Sequence, residues 1–297
     1  MSTMIPTPGL SAAAVRSDAP RPRRRRRRLD PVAGPLRVVL LLIYAIPILF
    51  IVLTSLKDRS DVISSQSSFL FTPTLDAYTA ALSNQGLFVA LQQSLTIAAG
   101  TTALTLLIAI PAGYGLARVD SRITTIGLGL LIVLQMVPQT ANVFPLYQIF
   151  GAWGLLNQNI GVIIADTALL VPFAILLLRP FFRAVPRELQ DAASIDGCTP
   201  LRFYWSIMLP LSRPVLSTIA VLTIVTSWNA FLLPLLVLTD PDTITLPIAV
   251  NNISSQYATD TARVLAFTTL SMVPALVFYA FAERQIVSGL TAGAVKE

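Results

Sequence analysis

Residues 180–210 read PFFRAVPRELQDAASIDGCTPLRFYWSIMLP, and they stand between two long apolar runs, Ile160 to Leu178 and Leu211 to Leu238. Their punctuation predicts two short helices. Pro186 suits the first helical position, Glu188 a first turn where the helix dipole favours a carboxylate, and Gly197 the place just past the end. A second helix is predicted to begin near Pro200 and to stop before Pro210. On the first, Leu189, Ala192, Ala193 and Asp196 recur at i, i+3, i+4 and i+7, a face of small and apolar side chains flanked by acids. On the second, Phe203, Tyr204, Ile207, Met208 and Leu211 form a greasy face able to anchor the pair beneath its apolar neighbours. Two helices bent at a glycine and displayed on one side suit rigid docking into a groove of a soluble partner.

Outward from this segment the chain is apolar. The 297 residues are 54% hydrophobic and only 12% charged, about half the charged share of soluble domains, and the mean hydropathy is +0.71. A helix rising 1.5 Å per residue needs about 20 apolar residues to cross a bilayer. Six stretches qualify, at 36–56, 87–117, 123–147, 159–179, 211–238 and 264–283. Prolines 47, 111, 138, 145, 172, 234 and 274 lie within them. They predict kinks, which serve either packing or a bundle that rocks between conformations.

Of the 21 Lys and Arg residues, all but Lys57, Arg59 and Arg263 fall before or at the start of the first span, between the second and third, between or at the adjoining ends of the fourth and fifth, or after the sixth. The positive-inside rule therefore predicts six helices with both termini cytoplasmic. Nine of those cations lie at or before Arg37, six of them in the unbroken run Arg23 to Arg28. Residues 1–34, rich in Pro, Ser, Ala and Arg, are read as a disordered cytoplasmic leader and charge anchor, not a nucleic-acid arm. The first span lacks a small-residue cleavage site after its apolar run, so it is read as an uncleaved membrane helix.

The chain has no His and one Cys, Cys198, which excludes histidine-based acid-base chemistry, Cys/His pairs and intrachain disulfides. Its only lysines, Lys57 and Lys296, follow Leu56 and Val295. A Walker A loop, which needs Gly-Lys, is therefore impossible. Within the spans the uncharged polar side chains include Gln92, Gln93, Ser94, Gln135, Asn142, Ser227 and Asn229. Gln135, Trp228 and Asn229 offer amides and an aromatic face, groups able to line the path of a polar solute. Interhelical hydrogen bonding is the competing reading for the amides. Asp166, near the outer end of its run, is read as an interfacial acid facing the mouth of the bundle.

The run Glu188-Leu-Gln-Asp-Ala-Ala-Ser-Ile-Asp-Gly197, followed by Phe203, Ile207, Leu209-Pro210-Leu211 and Pro214, resembles the EAA loop of membrane subunits of bacterial ABC importers. Asp191 replaces the usual Glu, and Cys198 stands where Ala is frequent. The tail Gly289 to Lys296, with Thr226-Ser-Trp-Asn-Ala-Phe231 and Thr245-Leu-Pro247 upstream, is similar to that of MalG-like subunits of carbohydrate importers. The likeness covers residue 36 to the end. It implies an all-α, type I ABC importer permease fold, with a permease domain at 35–288, a coupling loop at 180–210 and a tail at 289–297. Glu188, Leu189, Asp191, Ala192, Ala193, Asp196 and Gly197 would couple to the ATPase, and Gly289, Thr291, Gly293 and Lys296 would contact it at the tail. The implied partners are a second, MalF-like permease, an ATPase homodimer that binds ATP and Mg, and an extracytoplasmic sugar-binding protein. The implied location is the bacterial inner or plasma membrane, crossed several times, with no cofactor in this chain. A permease for another solute shares the coupling loop and is set aside by the tail. A membrane enzyme would need converging acids, and a secondary transporter midplane carboxylates and repeats; neither is visible.

Overall fold

The computed structural model describes residues 33–64, 71–257 and 260–292, with side chains described no further than residue 280. Among these the regular elements are helical. They are α1 (Ala33–Ser55), α2 (Arg59–Ser64), α3 (Asp76–Leu82), α4 (Gln85–Arg118), α5 (Arg122–Met136), α6 (Gln139–Trp153) and α7 (Asn159–Ala184). There follow α8 (Arg187–Ile195), α9 (Pro200–Phe203), a π turn (Tyr204–Met208), α10 (Leu209–Leu211), α11 (Arg213–Trp228), α12 (Leu232–Val237), α13 (Leu246–Gln256) and α14 (Thr261–Ala292). Four helices, α1, α4, α7 and α14, are long and apolar enough to cross a membrane, and the number is six if two bent pairs each form one span. The predicted leader is covered only from Ala33 onward.

The chain divides at Pro47 into two units. In the first, α1 presents exposed apolar side chains from Leu36 to Ile46, the surface that a bilayer solvates. The second unit is built on α4 and α7, the pair in most extensive contact. Their closeness follows from α4's buried residues, which include Ala90, Ser94, Ala98, Thr101, Thr105, Ala109, Gly113 and Ala117 at spacings of three or four. Small side chains at helical spacing let backbones approach, the mode of packing that works where no hydrophobic effect drives helices together. At Gly113 a Cβ would lie 3.1 Å from Leu178 Cβ.

One apolar cluster joins Ala109 and Ala117 of α4, Ala174, Leu178 and Phe182 of α7, Phe203, Met208 and Ile219. A second, around Leu87, Leu246, Ile253 and Phe267, lies toward the other end of α4. Here the polar side chains of α4 hold loops: Ser94 Oγ accepts from Leu246 N at 2.7 Å, Gln93 Nε2 donates to Asp242 O at 3.0 Å, and Asn159 donates to Gln93. The interhelical hydrogen-bonding role thus fits Gln93 and Ser94. Asn157, with φ of 58°, clamps the α6–α7 turn to the segment after α12: its Oδ1 accepts from Thr239 N, Thr239 Oγ1 and Asp240 N.

Two predicted spans are not continuous helices. The stretch 123–147 breaks at Val137 and Pro138, and α5 and α6 meet at 94°. Extended backbone at both residues ends α5 and starts α6, in keeping with the missing N–H of Pro138 and the restriction on the residue before it. The stretch 211–238 bends by 71° at Ser212, where the helix over Pro200–Leu211 meets α11, and breaks again between Trp228 and Leu232, ahead of Pro234, which lies inside α12. Prolines 111, 145, 172 and 274 sit within continuous helices.

Candidate functional site

Helix α8 carries no buried residue. Pro186 is its N-cap, one place before the predicted first helical position, with Glu188 in the first turn. Its end is a Schellman motif: Cys198 N donates to Ala193 O at 2.9 Å and Gly197 N to Ser194 O at 3.0 Å. Gly197 supplies the left-handed residue this requires, at φ 78°. Thr199 Oγ1 then caps α9 by accepting from Arg202 N at 3.3 Å, with Pro200 in its first turn.

The predicted face of α8 is divided by the structure. Ala193 packs against the cluster that holds Phe203 and Met208, as does Cys198, whereas Leu189, Ala192 and Asp196 are exposed along with Glu188, Asp191 and Gly197. Ile195, overlooked in the sequence, is 87% exposed. The second element does not stop before Pro210. A π turn over Tyr204–Met208 carries the helix through it, and the wider turn relieves the clash between a proline ring and the carbonyl four residues back. Phe203 and Met208 are buried, Ile207 packs beside them, and Leu211, expected on the same greasy face, is 48% exposed. At its start α8 is tied to the α4–α5 turn, where Asp120 pairs with Arg183 and Arg187, each at 3.3 Å. The result is an exposed, acid-bearing helix packed on the bundle core at its end and joined at its start to the α4–α5 turn by a solvent-exposed ion pair, an arrangement able to pass on a push.

A cavity of about 400 Å³ lies where both broken spans lose their helical backbone, lined by Gln139, Asp166, Leu169, Leu170, Thr226, Asn229 and neighbouring apolar groups. Irregular backbone at membrane depth is tolerated where it lines a wet or protein-walled space. Asp166 is 6% exposed, and its Oδ2 accepts from Ser227 Oγ at 2.9 Å. It is therefore enclosed by protein at the wall of a cavity, seven residues after the start of α7. Asn229 donates to Val225 O at 2.7 Å.

The structure does not gather the three predicted lining residues. Trp228 and Asn229 share a second, apolar cavity of about 610 Å³ between α4, α11 and α14. Gln135 borders neither; its Nε2 donates to Leu169 O at 3.1 Å. Gln139 and Thr226 were missed. The signal for them was Pro138, which starts a helix at Gln139, and the three-residue step from Thr226 to Asn229. Of the predicted tail contacts, Gly289 and Thr291 fall in α14, and Gly293 and Lys296 lie outside the described residues.

Residues 106–285 match the family described as binding-protein-dependent transport system inner membrane component. The chain is 34% identical over 251 residues to the sulfoquinovosyl glycerol transport system permease protein SmoH of Agrobacterium fabrum, covering 84% of this chain and 88% of the relative. It is 32% identical over 254 residues to the arabinooligosaccharides transport system permease protein AraQ of Halalkalibacterium halodurans, covering 84% and 90%. To the trehalose transport system permease protein SugB of Mycobacterium tuberculosis it is 34% identical over 253 residues, covering 84% and 92%. In fold it is similar to a chain in the crystal structure of a bacterial ABC transporter involved in the import of the acidic polysaccharide alginate. There the TM-score is 0.73 and the identity 21%, with 86% of this chain and 97% of that one covered.

Proposed function

This chain belongs to the family of binding-protein-dependent transport system inner membrane components, and from that premise we propose that it is the membrane-spanning subunit of an importer for a sugar or oligosaccharide, driven by ATP hydrolysed on a separate subunit. The single observation that carries the mechanism is α8, an exposed helix packed on the bundle core through Ala193 and Cys198 and joined at its start to the α4–α5 turn by the exposed pair of Arg187 and Asp120. Closure of an ATPase dimer would press on Glu188, Leu189, Asp191, Ala192, Asp196 and Gly197. The rigid connection through Phe203 and Met208 passes that displacement to α7 and α11, whose residues form the same core cluster.

The proposed working assembly holds this chain, a second permease, two ATPase subunits that bind ATP and Mg, and an extracytoplasmic sugar-binding protein. Six spans with both termini cytoplasmic and a bacterial inner-membrane location belong to this reading, supported by the arginine distribution. So does a tail at Gly289, Thr291, Gly293 and Lys296 that reaches the ATPases. Sugar as the substrate is supported by the substrates named for the relatives and by the chemistry of the smaller cavity. A carboxylate, two amides and a hydroxyl in an otherwise apolar wall suit a polyhydroxylated, uncharged solute.

The test is uptake by the reconstituted complex, with the sugar chosen by its stimulation of ATPase activity across a panel. Asn229→Leu is expected to raise the KM for transport about tenfold, the effect of about 1.4 kcal/mol, with basal ATPase unchanged. An unaltered KM in Asn229→Leu and in Thr226→Val would remove the cavity from the sugar's path while leaving the coupling role standing.

A further inference from the structure

A second polar space opens at the arginine-bearing end of the bundle, apart from the cavity at Asp166 and from α8's exposed face. It measures about 360 Å³ and is lined by Asp120, Ser121, Arg122, Thr124, Thr125, Arg179 and Arg183. Three guanidinium groups therefore face it against one carboxylate. That carboxylate is engaged, since Asp120 pairs with Arg183 and with Arg187. Among the described residues Arg122 and Arg179 make no ion pair; Arg179 Nε donates to Leu116 O at 3.1 Å. In the first turn of α5 the Thr124 N–H is capped by Ser121 Oγ at 3.1 Å, which leaves the N–H groups of Arg122 and Ile123 without intrahelical partners; the Ser121 and Thr124 hydroxyls, hydrogen-bonded to each other at 3.1 Å, leave one hydroxyl proton beside them.

The space meets an apolar surface at Arg122, which lines it and stands one helical turn before Ile126. Above Arg122, residues Ile123, Ile126, Leu130 and Val133 fall on one side of α5 and are 82%, 72%, 58% and 57% exposed. Thr124 is the buried residue of this helix. A cluster of donors and positive charge at the foot of a bare aliphatic stripe matches a molecule with an anionic head and hydrocarbon tails. We propose that this is a binding site for the phosphate headgroup of an anionic phospholipid, whose acyl chains lie along α5. Basic pockets at the ends of membrane helices recognise such headgroups, and guanidinium groups bind phosphate oxygens in a bidentate fork. The site adjoins the coupling helix through Asp120, because an anion bound to Arg183 competes with that carboxylate and alters the restraint on Arg187.

The experiment is lipid retention by the purified complete transporter, read by native mass spectrometry after exchange into detergent containing equal phosphatidylglycerol and phosphatidylcholine. The wild type is expected to retain phosphatidylglycerol in preference. Arg122→Glu, which touches no partner among the described residues, lowers the preference by at least about fivefold, the worth of losing one basic side chain near a membrane surface before the added negative charge is counted. Asp120→Asn acts in the opposite direction and raises it, a gain that loss of a purely structural ion pair would not produce. Equal retention of the two lipids, or an unchanged preference in Arg122→Glu, overturns the site. Displacement of phosphatidylglycerol by an equimolar amount of inorganic phosphate would assign the pocket to a free anion and overturn the lipid assignment. Occupation of α5's face by a partner protein would appear as no retained lipid of either kind.

Discussion

Gly197→Val is expected to reduce both uptake and binding-protein-stimulated ATP hydrolysis by tenfold or more, while the protein still inserts and assembles. The residue sits at φ 78°, where a side chain costs about 1–3 kcal/mol and a β-branched one falls at the upper end. It is exposed, so no core contact is lost, and the strain has one local outlet, unwinding of the last turn of α8. That releases the hydrogen bonds from Gly197 N to Ser194 O and from Cys198 N to Ala193 O, the two that set the angle between α8 and α9. A lever that bends at its elbow transmits nothing. Gly197→Asn, which tolerates left-handed backbone, is the control and is expected to keep most of the activity. Stimulated ATPase and uptake both retained at wild-type levels in the valine variant would show that the elbow angle is immaterial.

The largest loss of stability is expected from Gly161→Ala, at the start of α7. A Cβ there would lie 2.7 Å from the carbonyl oxygen of Leu155 and 3.4 Å from Leu155 Cβ. Backbone cannot swing aside as a side chain does, so the α6–α7 turn must shift, at a cost of about 1–3 kcal/mol. The same addition at Gly100 meets only the side chain of Ile163, with Cδ1 at 2.6 Å and Cγ1 at 3.2 Å, which can turn aside as backbone cannot, and is expected to be milder. Thermal unfolding of the purified protein compares the two: for a chain of this size the first should lower the Tm by several degrees, about 2–4 °C per kcal/mol, and the second by much less. Equal shifts would mean that the turn relaxes freely. Because this turn also sets where Asp166 enters the bundle, transport should fall with stability in Gly161→Ala.

The long helices were legible because lipid demands an unbroken apolar run, and α4 and α7 match the predicted spans closely, α7 running five residues further to Ala184. The breaks were not, since hydropathy adds across them: Val137 and Pro138 interrupt the backbone without interrupting the greasy sequence. Proline was a poor guide to their place. Pro138 breaks a span, Pro111 and Pro172 do not, and the other break precedes Pro234 at Asn229 to Phe231, where Asn229 adopts φ −89° and ψ 0°. Gly197 was readable because a positive φ selects its residue type. The inward turn of Ala193 and the π turn before Pro210 depend on the core reached through Phe203 and Met208, and such tertiary contacts leave no periodic trace. Asp166 was visible as an isolated acid, but its partner Ser227 lies 61 residues away on another helix, a distance that sequence spacing cannot bridge.

The coupling role of α8 is tested most directly by a single cysteine at Asp191, introduced with Cys198→Ser and cross-linked to the ATPase subunit of the assembled transporter. The account predicts a cross-link that forms in high yield, changes in yield when ATP is added, and blocks uptake until it is reduced. A complex that assembles and transports fully, yet gives no cross-link from position 191 in any nucleotide state, would contradict it.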